Sequence, residues 1–164
     1  MFEADYRGTT KHVDNQAYYA RKLASGAPPL RPCGIVRSDR SAALDRMGVD
    51  AGPDLAARLA ALANCDPFRT TSPRLSRLLV MATALSAFLH RVTGDQDVLL
   101  ALPWGNRTGS FGRTCGLLME QLFLKGHVES GETFATLGRS TRAELLAAMR
   151  HGKEVPPGNK CEAT

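Results

Sequence analysis

The residues best placed to do chemistry lie in and around one stretch, GDQDVLLALPWGNRTGSFG, Gly94 to Gly112. It runs from a turn through an apolar strand and breaks at Pro-Trp-Gly into a polar loop holding Asn106 and Arg107. A phosphate cradle needs a Gly-rich turn that leads straight into a helix N-terminus, so that backbone N–H groups converge on the anion. GNRTGSFG has neither the G-x-G-x-x-G nor the P-loop spacing, no Lys-Ser/Thr follows it, and the next segment reads as a strand. The four histidines, His12, His90, His127 and His151, stand outside any Ser, Cys or carboxylate pattern that would orient a nucleophile, and read as surface or helix-end residues. Ser72 reads as a helix cap and Ser110 as a loop residue, while Asp95 and Asp97 flank a turn, where Asp bonds its own backbone. No catalytic residue and no metal site is expected: Cys33, Cys65, Cys115 and Cys161 are far apart, without C-x-x-C or His spacing.

The elements that must position this loop are legible from periodicity. Asp14 to Ala24 predicts a short helix capped by Asp14 and closed by Gly26 and Pro28-Pro29. Ala43 to Val49 alternates weakly, as a strand would. Pro53 suits a first helical position, with Leu55, Leu59 and Leu62 on one face to about Asn64. Ser72-Pro73 opens a long core helix in which Leu75, Leu78, Leu79, Ala82, Leu85, Leu89 and Val92 recur at three and four, with His90 and Arg91 in the last turn before Gly94. Asp97 to Pro103 predicts a strand covered on both faces, and Leu117 to Val128 a second strand. A final helix is capped by Ser130 or Thr133, carries Phe134, Leu137, Leu145 and Met149 on one side, and stops at Gly152. Four helices and two or three strands imply an α/β layered arrangement with unpaired sheet edges.

Composition narrows the class further. The chain has 164 residues, 43% of them hydrophobic, as a single globular domain requires. A net charge of +5 is scattered without a basic block or interleaved aromatics, so no nucleic-acid partner is expected. No apolar run reaches the roughly 18 residues that span a bilayer, and the polar N-terminus is unlike a signal peptide, so no membrane partner and a cytoplasmic location are expected.

Three segments, HRVTGDQDVLLALPWGNR, CGLLMEQLFLKGHV and ETFATLGRSTRAELLAAMRHGKEVPP, resemble the C-terminal lobe of condensation domains of nonribosomal peptide synthetases. That family's usual wording there is "L-x-R-x-T-G-x-x-D-V-x-x-G-x-P-x-x-x-R", then "G-x-F-V-N-T-L-x-L-R", then a helix leading to "H-Q-D-x-P-F". EADY and AYYARKLASGAPPL are similar to its "Y-x-D-Y" and "Y-W-x-x-x-L-x-G-A-P-P-L" segments. Departures are present: Glu120 stands at the family's Asn, Lys125 at its Arg and Pro157 at its Phe. The family's "H-H-x-x-x-D-G" motif has no counterpart, and the family's final strands are missing too.

The resemblance implies a chloramphenicol acetyltransferase-like half domain, a small mixed sheet with about four helices, over residues 1–155, followed by a tail over 156–164. It implies a tunnel between two lobes in which a carrier-bound amine attacks a carrier-bound thioester. Trp104, Met119, Glu120 and Gln121 match positions near the tunnel wall or floor, with Trp104 equally readable as a core or lobe-interface aromatic. Asn106 and Arg107 match a clasp to the other lobe, where Arg107 would pair with the Asp of the histidine motif. No cofactor is bound directly in this reading; phosphopantetheine is carried by peptidyl or acyl carrier protein partners. The chain is then inactive alone, as a truncated product or half of a split enzyme. The alternatives are a carrier-docking or self-associating module, and part of an acyl-CoA-dependent acyltransferase. A missing first lobe further implies an exposed apolar face.

Overall fold

The computed structural model describes residues 8–24, 47–105 and 119–152. Helix α1 (Thr10–Leu23) begins one turn earlier than its sequence suggests, because the Thr9 hydroxyl, not Asp14, caps it by accepting from the His12 N–H at 3.3 Å. The weak strand over 43–49 is not formed at residues 47–49, and its remainder lies outside the described residues. Helix α2 (Gly52–Ala63) opens as predicted with Pro53 in its first turn, after the Gly52 N–H has donated to Asp50 Oδ1 at 2.9 Å. Of its apolar stripe, Leu59 and Leu62 pack against the core while Leu55 stays exposed.

Helix α3 (Pro73–Thr93) has the predicted bounds, but the Ser72 side chain, expected to cap it, makes no cap hydrogen bond; at the other end Gly94 is left-handed at φ 79° and its N–H donates to the His90 carbonyl at 2.8 Å. Its inward face differs from the leucine stripe. Ser76, Leu79, Val80, Ala82, Thr83, Ser86 and Leu89 are buried, whereas Met81, Leu85 and Phe88 are 56%, 45% and 58% exposed. Small polar residues are tolerated inside because they satisfy themselves. Thr83 donates to the Leu79 carbonyl at 2.8 Å, and Ser76 Oγ accepts from the Thr70 N–H at 2.9 Å. Ser86 packs beside Gly126, whose Cβ position would lie 3.7 Å from Ser86 Oγ, an ordinary van der Waals contact. At 21 residues α3 is long and apolar enough to cross a membrane by length and composition, beyond the sequence expectation, yet one face of it forms the core.

Strands β1 (Asp97–Gly105) and β2 (Met119–His127) pair antiparallel from Asp97↔His127 to Gly105↔Met119. Among the described residues these are the whole sheet. Its core face carries Val98, Leu100, Leu122 and Leu124, closed by Leu79 and Leu89 of α3 and by Leu137 and Leu145 of helix α4 (Phe134–His151). The opposite face is only partly covered. Phe123 is buried there and meets the Tyr19 ring edge-on at 6.5 Å, but Ala101, Pro103 and Gly105 are exposed, so the expected cover on both faces of β1 is not present along its second half. Thr133, one of the two predicted caps, starts α4 by accepting from the Thr136 N–H at 3.1 Å.

Helix α1 is joined to α4 by polar and aromatic contacts. The Tyr19 hydroxyl donates to the Ala148 carbonyl at 3.3 Å, His151 Nδ1 lies 2.9 Å from Asn15 Oδ1, and the His151 ring stacks on Tyr18 at 4.1 Å. Lys22 bonds the Tyr18 hydroxyl and pairs with Glu144.

Candidate functional site

The β1–β2 register assembles four of the six sequence-predicted site residues at one end of the ladder. Pro103 is opposite Gln121, Trp104 opposite Glu120, and Gly105 opposite Met119. Period-two alternation then separates them by face. Trp104 continues the row of Val98, Leu100 and Leu102 and is half-buried against the core cluster. Gln121 and Met119 belong with Pro103 and Gly105 to the other, exposed face, and Met119 is 58% exposed. Glu120 is placed by its backbone register alone. Asn106 and Arg107 lie outside the described residues. This end of the sheet therefore offers an exposed, largely apolar strand surface backed by an aromatic ring. Such a surface can exclude water from a reaction or seat a partner, but supplies no proton carrier among its described side chains.

The titratable groups sit at the opposite end of the ladder. His127 Nδ1 is 2.7 Å from Asp97 Oδ1, a cross-strand pair, and His90 Nδ1 donates to the Asp95 carbonyl at 2.8 Å. The hydrogen bond from His127 is the main reason the Asp97 carboxyl is held below the usual carboxylate range; desolvation opposes it, and the charges of Lys125 and His127 add to it. Reading His127 and Asp97 separately as a surface histidine and a turn residue missed this pair. The signal was available in the register, since both residues end their strands at the same rung. His151, expected at a helix end, is there, but it is engaged in the α1–α4 contact. Among the described residues no three His, Cys, Asp or Glu side chains converge as metal ligands. Cys65 is a free, exposed thiol.

Known proteins share both sequence and fold with this chain. Over 81 residues it is 28% identical to surfactin synthase subunit 1 of Bacillus subtilis (strain 168), covering 49% of the chain and 2% of that protein. Over 151 residues it is 26% identical to the nonribosomal peptide synthetase kk1B of Curvularia clavata, covering 89% of the chain and 1% of that protein. Among solved structures, the first condensation domain of the CDA synthetase superposes on 92% of the chain with a TM-score of 0.69 at 22% identity. The starter condensation domain of the rhizomide synthetase, in complex with C8-CoA, matches 94% with a TM-score of 0.67 at 21% identity. No protein-family model matches. The chain spans 32% and 35% of those two solved chains. It is thus similar in sequence to parts of nonribosomal peptide synthetases and shares the fold of about a third of a solved condensation-domain chain.

Proposed function

We propose that this chain supplies the C-terminal lobe portion of a condensation domain, with residues 1–155 forming the partial domain and 156–164 a tail. It serves amide-bond formation between substrates held on phosphopantetheine arms of carrier proteins in the cytoplasm. The observation that carries this reading is the fold shared with solved condensation domains, in which the register gathers Trp104, Met119, Glu120 and Gln121 at one end of the sheet. In the reaction, the acceptor amine attacks the donor thioester carbon, a C–N bond forms, the C–S bond breaks, and the thiol leaves on the donor's arm. The strand end serves as a wall that keeps water from the thioester. The group that takes the amine's proton comes from the complementary lobe. Arg107 is the clasp: its planar guanidinium suits a bidentate bond to a carboxylate of that lobe, which a lysine cannot reproduce.

The test is complementation. The purified chain, given carrier-bound donor and acceptor, forms no amide; adding a lobe that contains an H-H-x-x-x-D-G motif restores product, and Arg107→Ala or Arg107→Lys removes the rescue. Turnover by the chain alone overturns the proposal.

One observation favours a second reading, a docking or self-associating module. Among the described residues the outer edges of both strands are unpaired, and Met81, Leu85 and Phe88 expose apolar surface along α3. A monomer that shows no NMR shifts with a phosphopantetheinylated carrier protein would eliminate it.

A further inference from the structure

Helix α3 leaves an apolar row outside the core. Met81, Leu85 and Phe88 are each about half exposed, and at about 100° per residue they fall within about 60° of one another around the helix. Toward the N-terminus the same row continues into Arg74 and Arg77, both exposed, and toward the C-terminus it ends beside the exposed Arg91. From Arg74 to Arg91 the row runs roughly 26 Å, at a rise of about 1.5 Å per residue. No Asp or Glu occurs anywhere in α3, and none of these arginines is ion-paired among the described residues. Arg77 Nε donates to the Pro73 carbonyl at 3.4 Å, which turns its guanidinium back over the first turn. Arg69, also exposed, precedes the Thr70 that bonds Ser72 and Ser76 at the start of α3, so it adds a third charge there. Near Arg91 stand Glu129 and Glu132, so the excess of positive charge belongs to the Arg74–Arg77 end.

Apolar side chains exposed in one row mark a contact surface, and the spacing i, i+4, i+7 is that by which one helix seats another. Charge selects the occupant. A second copy packed antiparallel across the same row would bring Arg77 level with Arg91 of that copy, and a parallel one would set each arginine against itself, so self-pairing opposes like charges. Amphipathic helices that lie in lipid carry their cations on the face opposite the apolar one, and that side of α3 is buried against the sheet. We infer that the outer face of α3 docks an amphipathic helix of a partner protein, its apolar residues over Met81, Leu85 and Phe88 and its acidic end over Arg74 and Arg77. This rests on the docking reading above and specifies the partner's chemistry. Leu79 and Leu89 hold the inner side of α3 on the core face of the sheet, so the docking face is turned away from the strand surface at Met119 and Gln121.

The experiment titrates the full-length chain, observed by methyl and amide NMR, with a stapled model helix of about 18 residues that has leucines along one face and glutamates in one terminal turn. Its twin carries lysines in place of the glutamates. The glutamate peptide is expected to bind with a Kd of about 0.1 mM or tighter at low salt, shifting Met81, Leu85 and Arg77, and the lysine twin at least about tenfold more weakly. Salt at about 0.5 M should shrink that difference, and the double variant Arg74→Ala, Arg77→Ala should abolish it. Met81→Ser with Phe88→Ser, both exposed positions verified as folded by circular dichroism, should weaken both peptides at least about tenfold. The inference is overturned if the glutamate peptide leaves these resonances unmoved at about 1 mM, if the shifts map elsewhere, or if the lysine twin binds as well. It is equally overturned if the same methyls shift with chain concentration alone, which assigns the face to a second copy, or are covered by phosphatidylglycerol vesicles and not by the peptide. Peptide binding here with no shifts from a carrier protein supports the inference and removes only the carrier from the docking reading.

Discussion

Replacing Gly138 with alanine sets two physical effects of opposite sign against each other. Gly138 is buried in the second turn of α4, and glycine inside a helix is about 1 kcal/mol less favourable than alanine, so propensity alone favours the substitution. Packing opposes it. A Cβ at this position would lie 2.6 Å from Phe68 Cε1, 2.7 Å from Phe68 Cζ and 3.0 Å from Pro67 Cγ. The ring has little room to retreat: Phe68 is 2% exposed, is packed against Phe134 at 5.3 Å, and has its N–H on the Cys65 carbonyl at 2.8 Å. Arg142 further pins the segment by donating to the Pro67 carbonyl at 3.1 Å. Overpacking of this kind costs about 1–3 kcal/mol, so Gly138→Ala should destabilise by about 1 kcal/mol net, lowering Tm by roughly 2–4 °C. Urea unfolding and thermal scans measure this. In a Phe68→Leu background, which removes the colliding ring atoms, the same substitution should become neutral or stabilising, and the double-mutant cycle should give a coupling of about 1–2 kcal/mol. If Gly138→Ala stabilises the wild-type chain, the argument that contact outweighs propensity here is wrong.

Tyr19 tests the attachment of α1. Tyr19→Phe loses the bond to the Ala148 carbonyl and should cost about 1 kcal/mol, whereas Tyr19→Ala empties a fully buried site beside Phe123 and should cost about 3–5 kcal/mol; equal effects in urea unfolding would contradict this division. For Asp97 the folded carboxyl is depressed below its ordinary 3.8, so its stabilisation is complete above that value and is lost as pH falls through the lower folded value. The Tm difference between wild type and Asp97→Asn should therefore shrink below about pH 4; a difference that persists unchanged to the most acid folded condition would refute the pairing.

Local signals were sufficient for the elements themselves. Pro53, Pro73 and Gly94 act through one residue's own φ or missing N–H, and helices open and close where these residues stand. The alternation of Leu122, Phe123, Leu124 and Lys125 likewise placed a strand that the ladder confirms. Thr9 and Asp14 are both good capping residues, so the local sequence offers two starts for α1, and the helix forms from the earlier one.

The side of each element that faces inward was another matter. The leucine spacing of α3 selects a face containing Leu85, yet the molecule buries Ser76, Thr83 and Ser86 instead, because close approach to the sheet rewards small side chains that can bond their own helix or turn. No window of sequence contains that information, since it depends on which strand packs over Ser86, and Gly126 of that strand stands forty residues later. The same holds for the sites. Trp104, Met119, Glu120 and Gln121 were found by resemblance, but only register decides that Trp104 lies on the core face and Met119 and Gln121 on the other. The pair His127–Asp97 exists because antiparallel pairing brings together residues 30 positions apart. Sequence determined where backbone conformations change; distances through space, which only the packed chain sets, determined which side chains meet.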